Sequence, residues 1–69
     1  MRKRQEAKNI DEGLRLAIEA VGTRYALARA LGLTPTSVLR WDKIPMDRLL
    51  DVERATGIPR AKLRPEFYT

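Results

Sequence analysis

Thr36, Leu39, Arg40 and Lys43 recur at offsets of three and four and would share one side of a helix. Together they supply a guanidinium fork, an ammonium, a hydroxyl and an apolar tip. That set suits hydrogen bonding to an anionic, acceptor-rich surface. Covalent chemistry is poorly provided for, because the chain has no Cys and no His. It therefore offers no thiolate, no imidazole base and none of the soft ligands a structural zinc site prefers. Ser37, its one serine, lies in the same segment without the histidine that would make it nucleophilic. These residues describe a binding protein, not an enzyme, with no cofactor or metal.

Two elements must position them. Thr34 is a favoured N-cap, and Pro35 behind it fits the first helical position, where a missing N–H costs nothing and the fixed φ helps. From Pro35 onward Val38 and Trp41 share the side opposite the polar set, so one face packs and the other is presented. Upstream, Leu27, Ala28 and Leu31 form the apolar stripe of a preceding helix, and the small Ala28 lets the two helices approach closely. Gly32, between Leu31 and Leu33, can take the positive φ that ends one helix and swings the chain toward the next. Helix, one-glycine turn and capped helix thus fill residues 24–43, an arrangement that can present a helix to DNA.

Composition points the same way. A chain of 69 residues has room for one domain and a small core, with about 60% of its unfolded surface buried. Fourteen Lys and Arg against nine Asp and Glu give a net charge of +5 and a pI near 10.2, which favours a polyanionic partner. No apolar run is long enough to span a membrane, and the basic start Met1–Arg4 is not followed by a signal-peptide core. The expectation is a soluble protein of the bacterial cytoplasm or nucleoid.

Residues 1–8 are charged and lack apolar periodicity; they read as a basic flexible arm, either a solvated tail or a strand along phosphates, with the tail favoured. The domain then runs over 9–69. Asn9 with Glu12 resembles a capping box opening a first helix to about Val21, ended by Gly22, with Ile10, Leu14, Ala17, Ile18 and Val21 inward and Leu16 pointing away. After Ile44-Pro45, the residues Met46, Leu49, Val52 and Thr56 define the inner face of a fourth helix that Gly57 terminates. Ile58-Pro59 starts a short fifth turn through Leu63, which Pro65 stops. No alternating apolar pattern or hairpin turn follows Lys43. The fold class is all-α, a compact bundle of about five short helices around a central helix-turn-helix.

Ala28, Gly32 and Val38, with Leu27, Leu31, Leu33 and Trp41, resemble the spaced core of phage Cro/CI-type helix-turn-helix regulators over Thr23 to Lys43. The runs from Ile44 to Gly57 and from Leu63 to Phe67 are similar to small Cro-like prophage regulators, including related antitoxin-type proteins. The resemblance implies a repressor-type domain that inserts its third helix in the major groove of double-stranded operator DNA, usually as a homodimer on paired half-sites. Carried over residue by residue, it puts Thr23, Arg24 and Tyr25 on phosphates, Thr34 at the groove as a positioning residue, and Thr36, Leu39, Arg40 and Lys43 on bases.

Arg40 suits bidentate pairing with guanine, and Lys43 can donate to guanine or phosphate. Cro-like proteins often carry a glutamine where this chain has Pro35, which can donate nothing. The only Asn and Gln, Asn9 and Gln5, lie outside the motif, so the usual adenine readers are missing and A·T discrimination must be indirect. Leu39 and the Thr methyls are open to thymine methyl contact or to none. Arg29 reads as lying over Tyr25 or in solvent, Trp41 as core, and Phe67 with Tyr68 as intramolecular packing or a dimer contact. The alternative from another class is a protein-interaction module, such as a prophage antitoxin or antirepressor, which would need a contiguous exposed apolar patch in place of a positive face.

Overall fold

The structure is a computed structural model that describes residues 10–68. The expected arm over 1–8 lies outside the described residues. Among them the chain is all-α: α1 (Glu12–Val21), α2 (Arg24–Leu31), α3 (Pro35–Leu39), α4 (Leu49–Thr56) and α5 (Arg60–Leu63), with 3-10 turns at Met46–Arg48 and Pro65–Phe67.

The first helix opens differently from the expected Asn9 capping box. Asp11 is the N-cap, its Oδ1 accepting the Leu14 N–H at 2.9 Å. A carboxylate in this place satisfies an otherwise orphaned donor and also favours the positive end of the helix dipole. Asp11 serves a second time through its backbone, its N–H donating to the Asp42 carbonyl at 2.8 Å. The start of α1 is thereby tied to the loop that follows α3.

Each helix commits one stripe to a single core of Leu14, Ala17, Leu27, Ala28, Val38, Ile44, Leu49, Val52 and Leu63, all buried. Ile10, Ile18, Val21, Leu31, Leu33, Trp41 and Ile58 ring it, partly covered. The expected α1 stripe is therefore present. Met46, expected on the inner face of the fourth helix, is 53% exposed. The reason is local: residues 46–48 form a tighter 3-10 turn, so the α-helical register that would carry Met46 inward begins only at Leu49.

Gly13 is a close-packing residue that apolar periodicity does not reveal. A Cβ built there would stand 1.8 Å from the carbonyl oxygen of Leu63, so the first turn of α1 rests on the backbone of α5. Thr56 closes α4, its Oγ1 donating to the Val52 carbonyl at 2.8 Å and accepting from the Ile58 N–H at 3.1 Å. Phe67 and Tyr68, weighed between packing and a dimer contact, remain about half exposed, with the Phe67 ring against the Arg64 guanidinium at 4.6 Å.

Candidate nucleic-acid interface

The α2–α3 unit is built by local signals that agree with one another. Thr23 caps α2, its hydroxyl accepting from the Ala26 N–H at 3.0 Å. At the far end Gly32 is left-handed with φ 72°, and two bonds close the helix: Gly32 N–H to Arg29 carbonyl at 3.2 Å and Leu33 N–H to Ala28 carbonyl at 2.9 Å. This crossed pair is the glycine-dependent C-terminal cap that swings the chain round and brings Leu33 back onto the core. Thr34 then caps α3, its Oγ1 accepting from the Ser37 N–H at 3.3 Å and lying 3.0 Å from the Ser37 hydroxyl. Val38 is fully buried where α3 packs on α2, in the same core as Ala28.

The presented face departs from the expected helix through Lys43. α3 stops at Leu39, Arg40 is its C-cap with φ −84° and ψ −11°, and the Trp41 N–H bonds back to the Val38 carbonyl at 3.0 Å. Two tertiary demands end the helix there. Ile44 must turn inward to reach the core, and the Asp42 carbonyl is taken by the Asp11 N–H. Thr36, Leu39 and Arg40 therefore stay on one exposed side, while Lys43 comes from the following bend rather than from a further turn of helix. Trp41 is half-buried against the core, as its spacing from Val38 implies.

Of the residues expected on phosphates, Thr23 and Tyr25 are exposed and Arg24 is half-buried. The Arg24 Nη1 reaches across to the Leu39 carbonyl at 3.5 Å. Two consecutive helices thus bring Arg24 against the carbonyl of Leu39, fifteen residues further on, and the cation sits at the negative end of α3. Thr34 and Thr36 are exposed, but the Thr34 hydroxyl is already engaged as the cap.

The charge distribution separates this surface from the rest. Arg15 pairs with Glu12 and Glu19, Arg48 and Arg54 with Asp51, Arg60 with Glu53, and Arg64 with Glu66. The carboxylates beside Arg15 hold its pKa above the ordinary guanidinium value, chiefly through the hydrogen bond with Glu12. Among the described residues the cations outside these pairs are Arg24, Arg29, Arg40, Lys43 and Lys62. All but Lys62 belong to α2, the end of α3 or the bend after it. The sequence carries the signal, since no acidic residue occurs between Glu19 and Asp42. A shallow groove lined by Ala30, Leu31, Asp51, Arg54 and Ala55 shares no residue with this surface. No group of acidic side chains among the described residues is arranged to hold a metal ion.

Fold and charge distribution together define a small helix-turn-helix domain of the Cro-like kind, in which the cations outside ion pairs among the described residues are concentrated in the motif. The chain belongs to the family described as bacterial toxin YdaS, which it matches over residues 14–69. It is also similar in structure to the Cro protein from the putative prophage element Xfaso 1 in Xylella fastidiosa strain Ann-1. The identity is 28%, the TM-score 0.72, and the match covers 86% of this chain and 98% of that one. No curated protein matches it. The likeness to Cro-like prophage regulators, carried in sequence by residues 23–43, thus extends over most of the chain. No helix among the described residues is long and apolar enough to cross a membrane.

Proposed function

We propose that this protein is a sequence-specific regulator that binds double-stranded DNA and acts as a Cro-like repressor, placing α3 in the operator major groove. The observation that carries this reading is the coincidence of Arg24, Arg29, Arg40 and Lys43, which stand outside ion pairs, with the capped helix-turn-helix, while the other cations among the described residues, Lys62 excepted, pair with carboxylates. In this reading Thr36, Leu39 and Arg40 meet base edges, Arg40 on guanine, and Lys43 donates to a base or to the flanking phosphate. Thr23, Arg24 and Tyr25 fix the register on the backbone, with Thr34 positioning α3. A five-residue α3 contacts few base pairs, so useful operator specificity calls for a homodimer on two half-sites. The protein works in the cytoplasm or nucleoid, as a binder without catalytic chemistry.

The test is selection of bound duplexes from a random library at about 0.15 M salt, where specific affinities near 10⁻⁸ M stand clear of non-specific binding. The expected product is a palindromic, guanine-containing motif with half-sites about one helical turn apart. No enrichment from folded protein would overturn the reading. It would favour the second one, a toxin- or antitoxin-type module that grips another protein. That alternative draws on the family's description and on Met46 and Leu50, both about half exposed and one turn apart.

A further inference from the structure

The bend carrying Lys43 is fastened on both sides. Before it, the Asp42 carbonyl accepts the Asp11 N–H. After it, the Ile44 carbonyl accepts from Nη1 of Arg64, twenty residues further along the chain. Arg64 is an unusual residue to find at this point, because it is 8% exposed in a domain whose other cations are at the surface or half-buried. Its guanidinium has three partners: the Ile44 carbonyl, the Glu66 Oε2 at 2.7 Å through Nε, and the face of the Phe67 ring at 4.6 Å. A buried guanidinium held at two of its five N–H donors and against an aromatic ring is geometrically defined, not a loosely solvated charge.

One guanidinium therefore bonds both the residue that follows Lys43 and the carboxylate of Glu66. The consequence is that Glu66, exposed at the C-terminal turn, is held one guanidinium away from the backbone that follows Lys43. The Glu66 carboxyl is held below the ordinary carboxylate range first by its own backbone N–H and by the Arg64 hydrogen bond, with Lys43 contributing its attraction in the same direction.

We propose that Glu66, held by Arg64, is a built-in counter-charge that weakens the grip of Lys43 on DNA phosphate. This rests on the DNA-binding reading above and extends it to the C-terminal turn, which lies outside the helix-turn-helix. A phosphate approaching Lys43 meets a neighbouring carboxylate that repels it and that already attracts the ammonium. Glu66 thus sets how much of the Lys43 charge is available, and the C-terminal segment tunes affinity without touching a base.

The test is a double-mutant cycle on the full chain, read as affinity for a generic duplex at ~0.05 M salt, where screening is weak. Glu66→Gln removes the charge and keeps an oxygen to accept from Arg64 Nε; thermal midpoints at neutral pH check that each variant is folded. We expect Glu66→Gln to bind about two- to fivefold more tightly, a gain typical of relieving one exposed charge interaction. In a Lys43→Ala background the gain should vanish. Glu53→Gln, which raises the net charge equally but lies beside Arg60, should give a smaller gain. A gain that persists without Lys43, matches that of Glu53→Gln or fails to occur would overturn the proposal. Wild-type protein that binds no duplex at all would instead overturn the DNA-binding reading and the proposal with it.

Discussion

Gly13 and Leu63 touch backbone to backbone: a Cβ on Gly13 would lie 1.8 Å from the Leu63 carbonyl oxygen and 2.6 Å from its carbonyl carbon. The obstacle is main chain, which cannot swing aside as a side chain would. Since Leu63 is fully buried and α5 is a single turn, this contact sets how closely the C-terminal end of the chain docks on α1.

Gly13→Ala should therefore destabilise the domain, although alanine is the better helix former by about 1 kcal/mol. Forcing α1 and α5 apart opens the core on both sides of Leu63, and a net loss of about 2–4 kcal/mol is expected. Urea unfolding measures it. An unchanged or raised midpoint would mean that the two helices separate at little cost.

Thr34→Ala removes the side-chain acceptor of the Ser37 N–H and should cost about 1 kcal/mol, with Thr34→Ser nearly neutral. With only five residues in α3, the loss should fall on the motif before the remainder of the fold. Amide exchange at Val38 and Leu39, compared with Leu14, reports it; equal acceleration at all three sites would refute a local role.

Ala28→Leu should cost about 1–3 kcal/mol by overpacking where α2 meets α3. Ala28 is fully buried and its carbonyl also accepts the Leu33 N–H that shapes the turn. Loss of DNA binding beyond the fraction unfolded, measured by titration below the melting point, is the expected signature.

Arg40→Ala and Arg24→Ala should separate base from backbone contact. The first is expected to cost about 1–3 kcal/mol and relax one position of the operator, the second to weaken all sequences alike and flatten the salt dependence. Competition binding with operator and scrambled duplexes over a salt series distinguishes them. Uniform weakening by Arg40→Ala would remove its base-reading role.

Acid should loosen the C-terminal turn through Glu66. Its carboxyl is lowered in the folded protein by its own backbone N–H, by Arg64 and by Lys43, so the unfolded chain binds the proton more readily than the folded one. The stabilisation is present above the ordinary carboxylate pKa and is lost as pH falls through the lower folded value. Thermal melts on the acid side of neutrality should thus show a shallower decline for Glu66→Gln than for the wild type.

The helix-turn-helix was legible because each of its signals is local. Thr23 and Thr34 cap within three residues, Gly32 supplies its own positive φ, and Val38 and Trp41 mark the packed side by spacing alone. The all-α class followed from apolar periodicity for the same reason, and the basic face could have been read more fully from the acid-free run between Glu19 and Asp42. Two of the readings that failed lie where a distant partner is also engaged. Asp11 displaced Asn9 as the cap in a segment that is also bonded to Asp42, and α3 stopped at Leu39 because Ile44 had to enter the core.

By itself the sequence determined the capped α2–turn–α3 unit, the helical class and the excess of positive charge, all properties of residues within a turn or two of each other. Only the tertiary structure decided the close contact at Gly13, the proximity of Arg24 to Leu39 and the three-partner setting of Arg64. Each of these depends on where a remote backbone carbonyl or helix register comes to rest. Local propensity carries no record of that, because it is settled by packing the whole core at once.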